Sequence, residues 1–475
     1  MHVCLLPTEI LMDIFALLLY DTSTSDTLAA LARTCRTFKE PALDTLWENI
    51  NGFEPLISCL PEGVSSMEQG KLTLQRPLLI GEWRIISQYA QRIRFLDVSS
   101  TELDIIDDRV VQALISAPSP APLLPNLRGL VWLDDRECFF PLLRTLIVST
   151  ITSINLGFGS NSPTFAKSAL FASLGARCPS IQELNCIYNG DSEESSDAIS
   201  EALCGLLELV RLETGILNAQ ALLHLASLPL LKSLHFSVNT NDIDEMQPNS
   251  TPTFSSQLDQ VHITAPSPPV LTYCLDNVRF LSCRSAILCV DHDYSNLQML
   301  YDPLDIPELI VSFSECFCHT LEELHFIFEF EFDSLFDDAL TDPSFALGFD
   351  VIAPLLSFSH LTDLRLDWMC TSAIDDASLK TMAQSWPQLE KFWFGCAARW
   401  LIPPSITFIG LAHLIHHCPR LCHIEMPFSA YPIDDIDSEP FFKTIPNGKI
   451  TEIDVGISPI VDPIAVACQL HMLLP

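Results

Sequence analysis

The chain has 475 residues and a formal net charge of −35, from 60 acidic and 25 basic side chains. Such a charge repels phosphate backbones and argues against general nucleic-acid binding. A composition of 48% hydrophobic and 18% charged residues is that of a folded protein, and no apolar run reaches the roughly 17–25 residues needed to cross a bilayer. The length suits two to four average domains, or one long repeat array after a small domain. The seventeen cysteines are odd in number and have no repeating framework. Without a signal peptide they read as reduced thiols, which predicts a cytoplasmic or nuclear location.

The first element runs from Leu6 to Tyr20. Pro7 suits the first turn of a helix, and Glu9 favours the positive end of its dipole. From Ile10 to Tyr20, Asp13 is the main polar interruption. A helix apolar on more than one stripe must be covered on more than one side. The expectation is therefore a helix that packs on its own domain with one face and on another protein with the rest. Ser25 and Asp26 are placed to cap a second helix carrying Leu28, Leu31, Ala32 and Cys35. After Arg36–Glu40, Pro41 is expected to restart a third helix with Leu43, Leu46, Trp47 and Ile50.

Leu6-Pro7-x-Glu9-Ile10-Leu11-x-x-Ile14-Phe15, then Cys35-Arg36-x-Phe38, then Leu46-Trp47, resembles an F-box in order and spacing. The variant with Cys-Arg-Thr-Phe-Lys-Glu-Pro-Ala-Leu before the last Leu-Trp resembles the large F-box families of mushroom-forming (basidiomycete) fungi. The resemblance implies docking onto the Skp adaptor of an SCF-type cullin ubiquitin ligase. It carries the adaptor contacts to Leu6, Pro7, Ile10, Leu11, Ile14, Phe15, Cys35, Phe38, Leu46 and Trp47. The alternative for these helices is a cap on the domain that follows.

Residues 51–82 hold Gly52, Pro55, Pro61, Gly63, Gly70 and Pro77 and are expected to be a connector. Glu82–Ala90 predicts an amphipathic helix, and Ile93–Val98 alternates like a strand. From there a Leu-x-x-Leu-x-Leu pattern recurs after helical stretches, often behind a proline. It occurs within Leu124–Trp132, begins at Ile181, Leu231 and Leu321, and is most regular at Leu361, Leu389 and Leu421. Leucine-rich repeats carry this strand signature, although these spacings are longer than the usual 20–29 residues. Residues 240–315 are hard to divide; the prolines of Met246–Pro269 suggest a surface loop around a short strand, Leu258–Ile263. Ile450–Gly456 and Asp462–Ala467 suggest a final strand and a capping helix.

Three clusters invite chemistry. His413, His416, His417, Cys418, Cys422 and His423 have the composition of a zinc site. However, Cys418-Pro419-Arg420-Leu421 occupies the same helix-to-strand turn as Cys178-Pro179-Ser180-Ile181 and Trp386-Pro387-Gln388-Leu389. Cys316 and Cys318 precede another repeat strand. Glu329, Glu331 and Asp333 alternate with phenylalanines, which suggests a solvated strand face. No metal, cofactor or enzymatic activity is expected, and no phosphate loop or nucleophile elbow is present.

The expected fold is α/β: an F-box at 1–50, a connector at 51–82, and an irregular leucine-rich-repeat solenoid at 83–475. Its parallel strands would line a concave face, with the helices outside. The expected function is a substrate receptor of the ubiquitin ligase, with no nucleic-acid or membrane partner; a ligase-independent interaction scaffold is the alternative. Target contacts are expected at outward strand positions: Asp363, Arg365, Asp367, Lys391, Trp393, His423 and Glu425. Trp393, set between inward Phe392 and Phe394, is expected to turn its ring to the groove, the alternative being that it packs against a neighbouring repeat. The thirteen acidic residues from Glu322 to Asp376, against one basic residue, Arg365, favour a basic target.

Overall fold

The computed structural model describes residues 6–20, 24–118, 121–157, 165–186, 193–239, 251–291, 302–329, 341–366, 368–397, 400–431 and 445–474. It divides into two compact units, Met1–Gly215 and Ile216–Pro475. Both are α/β and are built the same way.

The first unit opens with three helices: α1 (Thr8–Ala16), α2 (Thr24–Thr34) and α3 (Arg36–Glu48). Leu11, Phe15, Leu28 and Ala42 form their common core, and the Phe15 and Phe38 rings meet edge to face at 5.7 Å. Two local expectations are corrected. Helix α2 starts at Thr24, so Ser25 and Asp26 lie in its first turn, where Asp26 meets the positive end of the dipole. Pro41 does not restart a helix but sits inside α3, which begins at Arg36. Its missing N–H costs one intrahelical bond, and burial of Pro41 and Ala42 offsets that loss.

Helix α3 runs directly into the strand Asn49–Asn51, which pairs in parallel with Phe95–Ser99. Gly129–Leu133, Ser153–Leu156, Glu183–Cys186 and Arg211–Ile216 follow in chain order, each parallel to the last. Parallel neighbours in strict sequence, with helical crossovers between them, are the signature of a solenoid-like repeat. The 51–82 segment is therefore not a loose connector. It holds the helix Glu54–Ser58 and a hairpin, Ser65–Glu68 with Lys71–Leu74, and it buries Phe53, Leu56, Ile57, Val64, Leu72 and Leu74. Its glycines and prolines punctuate short elements: Gln69 and Gly70 both take positive φ in the two-residue hairpin turn. Arg92, following the helix Ile80–Ala90, reaches back to bridge Glu40 and Asp44 of α3.

In the second unit the parallel strands are Ser233–Ser237, Leu258–Ala265, Cys283–Asp291, Glu323–Glu329, Asp363–Leu366, Lys391–Phe394, His423–Glu425 and Glu452–Asp454. In the described part of the Met246–Pro269 segment the expected strand is present and longer than Leu258–Ile263, and the last two prolines belong to a helix rather than to a loop. Leu258–Ala265 is a full sheet strand, and Pro268 and Pro269 open the helix Pro268–Asp276, where missing N–H groups cost nothing. Residues 246–250 lie outside the described residues.

One hydrogen-bond device repeats along this sheet. The Glu322 carbonyl accepts from the N–H groups of Thr362 and Asp363, and Thr362 in turn accepts from Glu390 and Lys391. Glu390 accepts from Cys422 and His423, and Cys422 from Thr451 and Glu452. Each repeat thus fixes the start of the next strand. The inward rows Leu364, Phe392, Ile424 and Leu366, Phe394, Met426 are buried as the alternation predicts.

Candidate adaptor and target surfaces

Helix α1 and the turn Leu17–Tyr20 carry two apolar stripes one residue out of phase. Leu11, Phe15 and Leu18, at i, i+4 and i+7, face the helical core; Leu11 is 1% and Phe15 4% exposed. Ile10, Ile14 and Leu17 repeat the same spacing on the adjoining side; Ile10 is 44% and Ile14 40% exposed, and Leu17 more so. Met12 and Pro7 are also exposed. The ten residues expected at the adaptor thus separate. Pro7, Ile10 and Ile14 are on the surface. Leu11, Phe15, Phe38, Leu6 and Leu46 pack in or against the core, and Cys35 is half-buried where α3 starts. Trp47 turns to the other side of α3 and lies on Tyr89, with ring centroids 4.6 Å apart. Met12 and Leu17 were not singled out from sequence, although Leu17 follows Ile10 and Ile14 at helical spacing.

The expected target residues come together on the outward face of the second unit, except Asp367, which lies outside the described residues. The register aligns Asp363, Lys391, His423 and Glu452 in one row. The next row is His325, Arg365, Trp393, Glu425 and Asp454. The Asp363 carboxylate is shared: His325 Nε2 lies 3.0 Å from Oδ1 and Lys391 Nζ 3.4 Å from Oδ2. The Arg365 guanidinium lies 4.4 Å from the Trp393 ring centroid, and His423 packs on the ring at 4.8 Å. The indole Nε1 donates to Glu425 Oε1 at 2.7 Å, and His423 Nε2 lies 2.8 Å from the same oxygen.

The ring therefore lies on the outward row but is not open. Trp393 is 8% exposed because strands about 4.8 Å apart bring Arg365 and His423 over it. The described face is a ladder of alternating charge around an aromatic centre, not a uniformly acidic groove. Of the acidic stretch, Glu331, Asp333, Asp337, Asp338 and Asp367 lie outside the described residues.

The zinc-like residues do not converge. Burial pushes the Cys418 thiol up to about 12, and it bonds the Ala383 and Trp386 carbonyls. His423 is on the strand face, whereas His413, His416 and His417 are on the helix Phe408–His417. Among the described residues no group of three or more His, Cys, Asp or Glu side chains is placed to hold a metal. No helix among them is long and apolar enough to cross a membrane.

A small helical module with an uncovered apolar stripe, followed by strand-and-helix repeats, defines an α/β protein with a solenoid-like repeat. Residues 3–51 match the F-box-like family model, and the chain carries an F-box-like domain at its N-terminus. The chain is similar to one in the crystal structure of the yeast Rad7 and Elc1 complex: 16% identity over 84% of this chain and 92% of that one, TM-score 0.29. It is also similar to the leucine-rich repeat-containing protein LegL7 from Legionella pneumophila: 13% identity, 90% and 97% coverage, TM-score 0.27. No curated protein matches.

Proposed function

We propose that this chain is the substrate-receptor subunit of an SCF-type cullin ubiquitin ligase. The F-box-like domain docks on the Skp adaptor, and the repeats hold a protein target. One observation carries the reading: Ile10, Ile14 and Leu17 stand uncovered on one stripe while the adjoining stripe of the same helix is buried. Covering what remains exposed of these side chains supplies roughly 1 kcal/mol for each isoleucine and up to about 2 kcal/mol for Leu17, which helps to anchor a partner. Pro7 and Met12 flank the contact. On the target side, exposed Lys391 and half-buried Asp363, Arg365, His423 and Glu425 form the recognition surface, with Trp393 as the ring that organises them. Asp367 completes the proposed set.

The test is co-purification with the Skp adaptor. Ile14→Asp places a charge where the adaptor must desolvate it, and abolishes capture while α1 stays folded. Normal capture by that variant refutes the F-box assignment of function and favours the ligase-independent scaffold. Under this reading the protein contributes binding and positioning, and the chemistry of transfer belongs to its partners.

A further inference from the structure

We propose that the strand face of the first unit, beside Phe95 and Asp97, is a docking groove for an extended peptide segment that carries an arginine or lysine next to an apolar residue. The groove has a volume of about 340 Å³ and is lined by Asn49, Asn51, Phe95, Asp97, Gly129 and Val131. Register sets Asn49, Phe95 and Gly129 side by side, and Asn51, Asp97 and Val131 in the next row. Gly129 makes the depression: a Cβ there would come within 2.4 Å of the Phe95 ring, so the ring lies across the glycine. Phe95 is 45% exposed.

Charge complementarity selects the occupant. On this face Glu183 is bridged by Arg211, and Glu213 accepts from the Asn185 amide at 2.5 Å. Among the described residues the Asp97 carboxylate has no hydrogen-bond or ion-pair partner. Partial burial and the nearby Glu102 push its carboxyl above the usual carboxylate range, as for an anion that lacks a counter-charge. In the second unit the row that corresponds to Asp97 and Val131 holds Arg365 and Trp393, and there the chain supplies the cation over its aromatic ring itself. In the first unit the strand neighbours of Phe95 are Asn49 and Gly129, so a cation over its ring must come from a partner. Asn49 and Asn51 are both exposed. Each amide can donate to and accept from a peptide backbone, which favours an extended segment over a free amine.

The probe is a fluorescein-labelled Gly-Ser-Leu-Arg-Leu-Ser-Gly peptide, read by anisotropy against the full chain co-expressed with its adaptor, or alone if it is stable alone. The arginine peptide binds, and its Glu counterpart does not. Asp97→Asn, Phe95→Ala and Gly129→Ala each weaken binding about tenfold, while Glu208→Gln, an exposed acid elsewhere, leaves it unchanged. Asp97→Asn is isosteric, so it stands as the test if a Phe95 variant fails to fold. Equal binding of the Glu peptide, unchanged binding by Asp97→Asn, or no binding of the arginine peptide each overturns the proposal. Adaptor capture, scored on the same samples, separates failure of this groove from failure of the F-box reading.

Discussion

Trp393→Ala tests whether the aromatic centre of the second unit holds the repeats together. The ring is 8% exposed, lies under the Arg365 guanidinium at 4.4 Å, and donates to Glu425 at 2.7 Å. A tryptophan buries about 150–250 Å², which at about 25 cal/mol per Å² is worth about 4–6 kcal/mol as an upper bound. Water can enter the vacated outward site, so the expected loss is nearer 3–4 kcal/mol. At about 2–4 °C per kcal/mol for a unit of this size, the second unit should melt about 10 °C lower. Trp393→Phe keeps a ring beneath Arg365 but leaves Glu425 without the indole donor, and should cost about 1–2 kcal/mol. Calorimetry and urea unfolding read both variants. If Trp393→Ala melts within about 2 °C of the parent, a value below one kcal/mol on this scale, the stack is decorative and the ring is free to serve as a target contact.

Two further outcomes follow from the first unit. Arg92 holds the Glu40 carboxyl below its ordinary value of 4.5 through a side-chain hydrogen bond. A depressed carboxylate adds stability above its unfolded value, and that stability is lost as the pH falls through the folded one. The contact between Arg92 and α3 should therefore weaken below about pH 4.5, and Arg92→Met should remove that part of the slope in urea unfolding at about pH 6 and 4. Because Glu40 is mostly exposed, the effect should stay below about 1 kcal/mol; a larger or reversed slope in the parent refutes the assignment. Gly175→Ala should destabilise the unit by about 1–3 kcal/mol, because the added Cβ would stand 2.3 Å from the Ala202 carbonyl oxygen and 3.1 Å from the Gly205 Cα. Unchanged thermal unfolding would show that those helices can separate freely.

Much of the repeat architecture is legible in the chain. Leu364 and Leu366, Phe392 and Phe394, and Ile424 and Met426 alternate with polar residues, and alternation alone assigns them to the inner face. The strand Cys283–Asp291 was not legible because Cys283, Ala286 and Leu288 are buried without the leucine signature. Ser153–Leu156 carries isoleucines, Ile151 and Ile154, in the leucine positions and was missed for the same reason. Prolines misled at 41 and 266–269, since a local rule reads proline as a stop, whereas packing on Ala42 or a helix start at Pro268 makes it tolerable.

The sequence by itself determined the class: three apolar-striped helices, then strands whose inward residues recur by spacing, because side-chain direction follows from backbone period alone. Only the tertiary structure decided which stripe of α1 faces inward, since both have helical spacing and the choice depends on Leu28 and Ala42 arriving from other helices. It alone decided the state of Trp393. The groups that cover the ring, Arg365 and His423, stand 28 and 30 residues away along the chain, and parallel strands set about 4.8 Å apart bring them into contact.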